Sequence, residues 1–205
     1  QQTPHQEIGT HTLSHYYCLE PGQKLTQFEA DLEAAITLAK RRKINVKSIV
    51  FPRNQYAKAH LDICKRLGLK VYRGTPTQKI YRSTPGKDKT MLRRAGRLID
   101  AHTGMFGNTS FPMDRRDRTN VPASHFLRPC SGKLGIAHPL HRKMIERSMT
   151  KAAKSGRAYH LWWHPHNFGR DIDANINALK QILSHFDALR AEFGMRSSHM
   201  VGSAE

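Results

Sequence analysis

A chain of 205 residues and 23.4 kDa, 38% hydrophobic and 24% charged, has the balance of a globular domain rather than a disordered one. No run is apolar enough to span a bilayer, and no signal-peptide pattern opens it. A formal net charge of +18 and a pI near 10.3 would attract polyanions, but the charges are scattered (Lys40-Arg41-Arg42-Lys43, Arg93-Arg94, Arg115-Arg116) and read as a solvated surface.

The chain opens on Gln1-Gln2-Thr3 without a Met, as expected of a piece of a longer protein. Glu7-Ile8-Gly9-Thr10 reads as the end of a strand. The apolar spacing of Phe28, Leu32, Ala35, Ile36 and Ala39 predicts a helix from about Gln27 to Arg42, with Thr26 and Glu29 at capping-box spacing. Ser48 to Phe51 is a short buried strand, and a second helix is expected from about Tyr56 to Leu67, closed by Gly68. Leu69 to Tyr72 is the next strand, followed by a polar loop over Gly74 to Lys89 and a helix from about Met91 to His102. Gly104 to Pro122 reads as an irregular basic loop. A helix over His138 to Ser155, a strand over Ala158 to Trp163 and a long helix over Ile172 to Phe193 complete the pattern.

Strands alternating with helices predict an α/β fold with parallel strands and right-handed crossovers. A (β/α) barrel needs about 250 residues, so 205 residues fit a single domain, 1–205, lacking its first βα unit. Three widely spaced cysteines, Cys18, Cys64 and Cys130, with no CxxC, support neither a zinc ribbon nor a disulfide framework. A reducing, cytoplasmic location is the expectation.

Two segments carry chemistry. In His11-Thr12-Leu13-Ser14-His15 the histidines are four positions apart. On a strand they would stand roughly 13 Å from each other, whereas one helical turn brings them within about 5–6 Å. A metal clamp, needing each imidazole at about 2.0–2.1 Å from the ion, therefore predicts that the chain curls into a helical turn here. With 13 histidines in the chain, the pair alone is also a plausible coincidence. The second segment, Leu161-Trp162-Trp163-His164-Pro165-His166-Asn167, gathers both tryptophans and two histidines at a strand's C-terminal end, where α/β barrels place their sites. Aromatic faces suit sugar rings, and a histidine suits proton donation to a leaving amine. Successive strand positions point oppositely, so Trp162 and Trp163 should split between two faces.

Together these segments resemble the polysaccharide deacetylase family, the NodB-homology domain. His11-Thr12-Leu13-Ser14-His15 resembles its His-Ser/Thr-x-x-His metal motif, and Leu161-Trp162-Trp163-His164 its Leu-x-Leu-His motif with Trp163 replacing a leucine. Phe51-Pro52-Arg53-Asn54-Gln55 resembles an altered form of its arginine motif. The resemblance implies a distorted (β/α) barrel that removes an N-acyl group, usually acetyl, from an amino-sugar glycan. It implies His11 and His15 as ligands of a divalent metal such as zinc, His164 as general acid and Arg53 as the residue orienting the catalytic carboxylate. Trp162, Trp163 and His166 are the candidates for substrate binding, although His166 also suits a loop-capping role. The family's Asp-Asp motif, which supplies the metal-binding aspartate and the base, has no counterpart in these residues and is expected upstream of His11. Its second aspartate motif, between the arginine and final histidine motifs, is not recognisable either. Two other functions compete: a catalytically dead carbohydrate-binding barrel, and a basic nucleic-acid-binding protein. The latter lacks any RNP-like, zinc-finger or helix-turn-helix signature, and no specific nucleic-acid partner is expected.

Overall fold

The computed structural model describes residues 6–75, 109–113, 117–130 and 137–203, together with Gly96. The expected helix over Met91 to His102, all but Gly96 of it, lies outside those residues.

The chain alternates short strands with longer helices. Helix α1 spans Leu25–Arg41 and buries Phe28, Leu32 and Ile36, one residue per turn. Its start is not fixed by Thr26 and Glu29: Gln27 Oε1 accepts the backbone N–H of Lys24 at 3.1 Å, two residues earlier than the capping box read from sequence. Helix α2, Lys58–Arg66, buries His60, Ile63 and Cys64. Helix α3, His138–Lys154, ends before Gly156 at φ 58°. Helix α4, Ile172–Phe193, is capped by the Asp171 carboxylate at one end and by left-handed Gly194 at the other; its bounds are those read from the apolar spacing.

The strands are β1 (Ser48–Ile49), β2 (Val71–Gly74), β3 (Phe111–Pro112), β4 (Asn120–Pro122), β5 (His125–Phe126), β6 (Arg157–Ala158) and β7 (Leu161–Trp162). Thr10 bridges to Ile49, β1 pairs with β2, β2 with β4 and β5 with β7, all in parallel. The stretch 120–126 serves both neighbours: Ala123 N–H donates to Gly74 O at 2.9 Å and Ser124 N–H to His160 O at 2.8 Å. Five parallel segments therefore follow one another in chain order, and their C-terminal ends share one edge. A doubly wound sheet would break that order at a switch point. The pairings form small sheets, with no closed ring among the described residues.

Two readings from sequence are corrected here. The strand expected over Ala158 to Trp163 is two pieces, β6 antiparallel to β3 and β7 parallel to β5, because the chain changes partner at Tyr159 and His160. The irregular stretch Gly104 to Pro122, where described, contains β3 and β4. Asn and Pro are poor strand formers, yet Asn120–Pro122 is held by β2.

Two larger apolar clusters flank these strands. One joins Phe28, Leu32 and Ile36 of α1 to Ile49, Phe51, Ile63 and Cys64. The other joins Ile145 and Met149 of α3 to Ile182 and Leu189 of α4, with Leu127 and Phe168. Among the described residues no helix is long and apolar enough to cross a membrane.

Gly74 sits where the backbones of β2 and β4 close on a side chain. A Cβ there would lie 2.0 Å from Asn120 Oδ1, and the buried Oδ1 belongs to a residue paired in the sheet. Gly74→Ala is expected to lower stability by about 1–3 kcal/mol, read as a fall in melting temperature; an unchanged melting temperature would mean that Asn120 swings aside freely.

Candidate functional site

The site lies at the shared C-terminal edge of the parallel segments. His11 follows Thr10, Arg53 follows β1, Arg73 lies within β2, Phe126 ends β5 and His164 follows β7.

His11 and His15 do come together, with ring centroids 4.7 Å apart in an edge-to-face arrangement. A helical turn is not the reason. Thr12 at φ 62° and His15 at φ 58° are left-handed, and residues 12–15 form an irregular loop. The loop is tied from outside: the Asp31 carboxylate of α1 accepts the N–H of Leu13 at 3.0 Å and of Ser14 at 2.9 Å. Thr12 Oγ1 accepts the N–H of Tyr16 at 2.8 Å. Left-handed backbone at a non-glycine residue costs on the order of 1–3 kcal/mol and persists only where its surroundings hold it. Of the five such residues described, Thr12, His15, Arg53 and Asn54 belong to this edge, and only Lys43 lies outside these loops.

The tautomer of His11 follows from its partner. Nδ1 lies 2.6 Å from Val50 O; a carbonyl only accepts, so Nδ1 carries the hydrogen and Nε2 keeps its lone pair. Metal-ligating histidines are commonly oriented in this way. Partial burial lowers the proton affinity of His11 despite the Val50 bond, and the nearby charges of His15, Arg73 and His164 lower it further. A neutral imidazole is the form that ligates. The pair thus fits half of a metal clamp. Among the described residues, however, no group of three or more His, Cys, Asp or Glu side chains is placed to hold an ion.

His164 joins the same neighbourhood. Its proton affinity is lowered first by burial, then by His166, Arg73 and His15. Its ring meets Trp162 at 5.4 Å and 88° and stacks on His166 at 5.1 Å. The tryptophans have different neighbours. Trp162 packs on Phe126 at 4.6 Å, toward the site, while Trp163 stacks on Phe168 at 6.2 Å and is 36% exposed.

Arg53 sits at the margin. Its guanidinium lies 4.1 Å over the Tyr17 ring and 3.2 Å from Glu20 Oε1, and Tyr17 in turn meets His15 at 5.2 Å. The carboxylate it orients in this structure is that of Glu20, which Gln55 also binds at 2.9 Å.

Two important side chains carry no motif. Asp31 is one polar position on an amphipathic helix. Arg73 is buried, lies 4.1 Å over the Trp162 ring and donates to Asn54 Oδ1 at 3.2 Å. The signal available for Arg73 was a charged residue inside the apolar run Val71-Tyr72-Arg73-Gly74. Burial pushes the thiols of Cys18 and Cys64 up to about 12, which keeps them protonated and argues against a nucleophilic role.

Comparison of the chain with protein-family models, curated proteins and solved structures gave no match.

Proposed function

We propose that this protein contributes to a metal-dependent carbohydrate deacetylase, hydrolysing the N-acyl group of an amino-sugar glycan on a (β/α)-barrel-like scaffold. The observation that carries the reading is that His11 and His15 pack together at the edge of the parallel strands where His164, from the other end of the sequence and close enough to sense their charge, lies beside Trp162.

In this reading His11 Nε2 and the His15 ring would hold a divalent ion, which when bound would supply Lewis-acid activation of water and of the acyl carbonyl. Val50 O fixes the His11 tautomer, and Asp31 fixes the loop that presents both rings. His164 carries the proton that the leaving amine takes up. Trp162 offers a face for the sugar, with Trp163 and His166 at the rim. Arg53 positions a carboxylate at the margin, as it does Glu20.

Among the described residues no carboxylate joins the histidine pair, and the alternative reading is a barrel that binds acylated sugars without hydrolysing them. Acetate release from acetylated amino sugars separates the two readings.

Asp31 gives a test of the clamp that does not touch the ion. Asp31→Ala is expected to weaken zinc binding by about 10–100-fold, the usual cost of losing an outer support, as measured by calorimetry. Zinc affinity equal to that of the unaltered protein would remove the loop, and with it the histidine pair, from the proposed centre.

A further inference from the structure

Arg73 is 9% exposed, and its Nε is buried with no hydrogen-bond partner. Its side-chain contacts are the Trp162 face and the neutral Asn54 Oδ1; no carboxylate of the described residues forms an ion pair with it. A buried guanidinium normally has a counter-ion, because a desolvated charge without one is costly. Even with burial lowering its proton affinity to about 10, Arg73 remains a cation at neutral pH. The titratable groups that sense its charge are His11, His160 and His164, none of which can supply a negative charge.

We propose that Arg73, stacked on Trp162 and held by Asn54, is the floor of an oxyanion subsite that takes a carboxylate or phosphate borne by the sugar. The guanidinium fork suits either group, since both accept charge-assisted hydrogen bonds from its N–H edges. Trp162 adds a ring face beside it, so charge and sugar are recognised together. The inference deepens the deacetylase reading by naming an acidic sugar as its substrate class, and it stands on Arg73 rather than on the histidine pair.

The test is binding to the 205-residue protein, followed by calorimetry and by tryptophan fluorescence, with glucose, glucuronate, glucose 6-phosphate and inorganic phosphate as probes. Glucuronate or glucose 6-phosphate is expected to bind at least about tenfold more tightly than glucose, and whichever of the two is preferred identifies the anion. Inorganic phosphate should bind more weakly than glucose 6-phosphate, because it lacks the ring for Trp162. Arg73→Met should abolish the preference. Arg73→Lys, which keeps the charge but loses the fork, should retain only part of it and serves if the Met variant fails to fold. Equal binding of glucose and both acidic sugars to the unaltered protein would overturn the proposal, as would a preference that survives intact in Arg73→Lys. Because no readout is acetate release, an acidic-sugar preference without deacetylation would leave the subsite standing and remove the deacetylase reading.

Discussion

Replacing His164 by Ala is expected to lower the deacetylation rate by about 10²–10⁴-fold, the usual contribution of a positioned acid or base. The side chain is exposed, and its ring neighbours among the described residues are Trp162, Phe126 and His166, so the melting temperature should change little. The same residue predicts a pH effect. Partial desolvation beside its ring neighbours and the charges of His166, Arg73 and His15 hold its proton affinity below the ordinary 6.5, so the imidazolium needed for donation is lost as pH rises through that lowered value. His166→Ala removes one repelling neighbour, and the alkaline limb of kcat/KM should move to higher pH. An alkaline limb that stays put in His166→Ala, or a His164→Ala variant of full activity, would take the general-acid role from His164.

The second large effect is on stability and belongs to His160. Desolvation and the neighbouring Arg73 push its folded-state value down from 6.5 to about 4. The unfolded chain then binds the proton more tightly than the folded one, so unfolding takes up a proton as the solution is acidified. The stability contributed by the neutral ring is fully present above 6.5 and is lost progressively as pH falls from 6.5 to 4. At ~1.4 kcal/mol per tenfold difference in proton affinity, the loss amounts to about 3 kcal/mol. His11, His60 and His164 are lowered as well and act with the same sign. Urea midpoints between pH 7 and 4 should therefore fall steeply in the unaltered protein and less steeply in His160→Gln. Parallel profiles for the two proteins would show that His160 does not carry the acid sensitivity.

The helices were legible in the sequence because burial repeats along them: Phe28, Leu32 and Ile36 face one way, and α4 begins and ends where its apolar spacing does. The strands were harder. Each is two to four residues long, too short for a two-residue period to declare itself, and β4 is made of Asn120, Val121 and Pro122, whose extended form is imposed by β2. At the site, the spacing of His11 and His15 correctly pointed to their closeness but not to its cause. A helical turn is the local way to join residues four apart; here two left-handed residues and a carboxylate from α1, 17 and 18 positions away, do it instead. Arg73 announces itself only once β2 and β7 are seen to converge, since its meaning lies in Trp162 and Asn54, which no local pattern connects to it.

The central claim is that His11 and His15 bind the ion on which deacetylation depends. It is tested most directly by following acetate release from an acetylated amino-sugar glycan by the protein, before and after chelation and again with added zinc, alongside His11→Ala and His15→Ala. The account predicts release that stops on chelation, returns with zinc and is lost in both variants while their folds persist. Undiminished release from the folded His11→Ala and His15→Ala variants would contradict it.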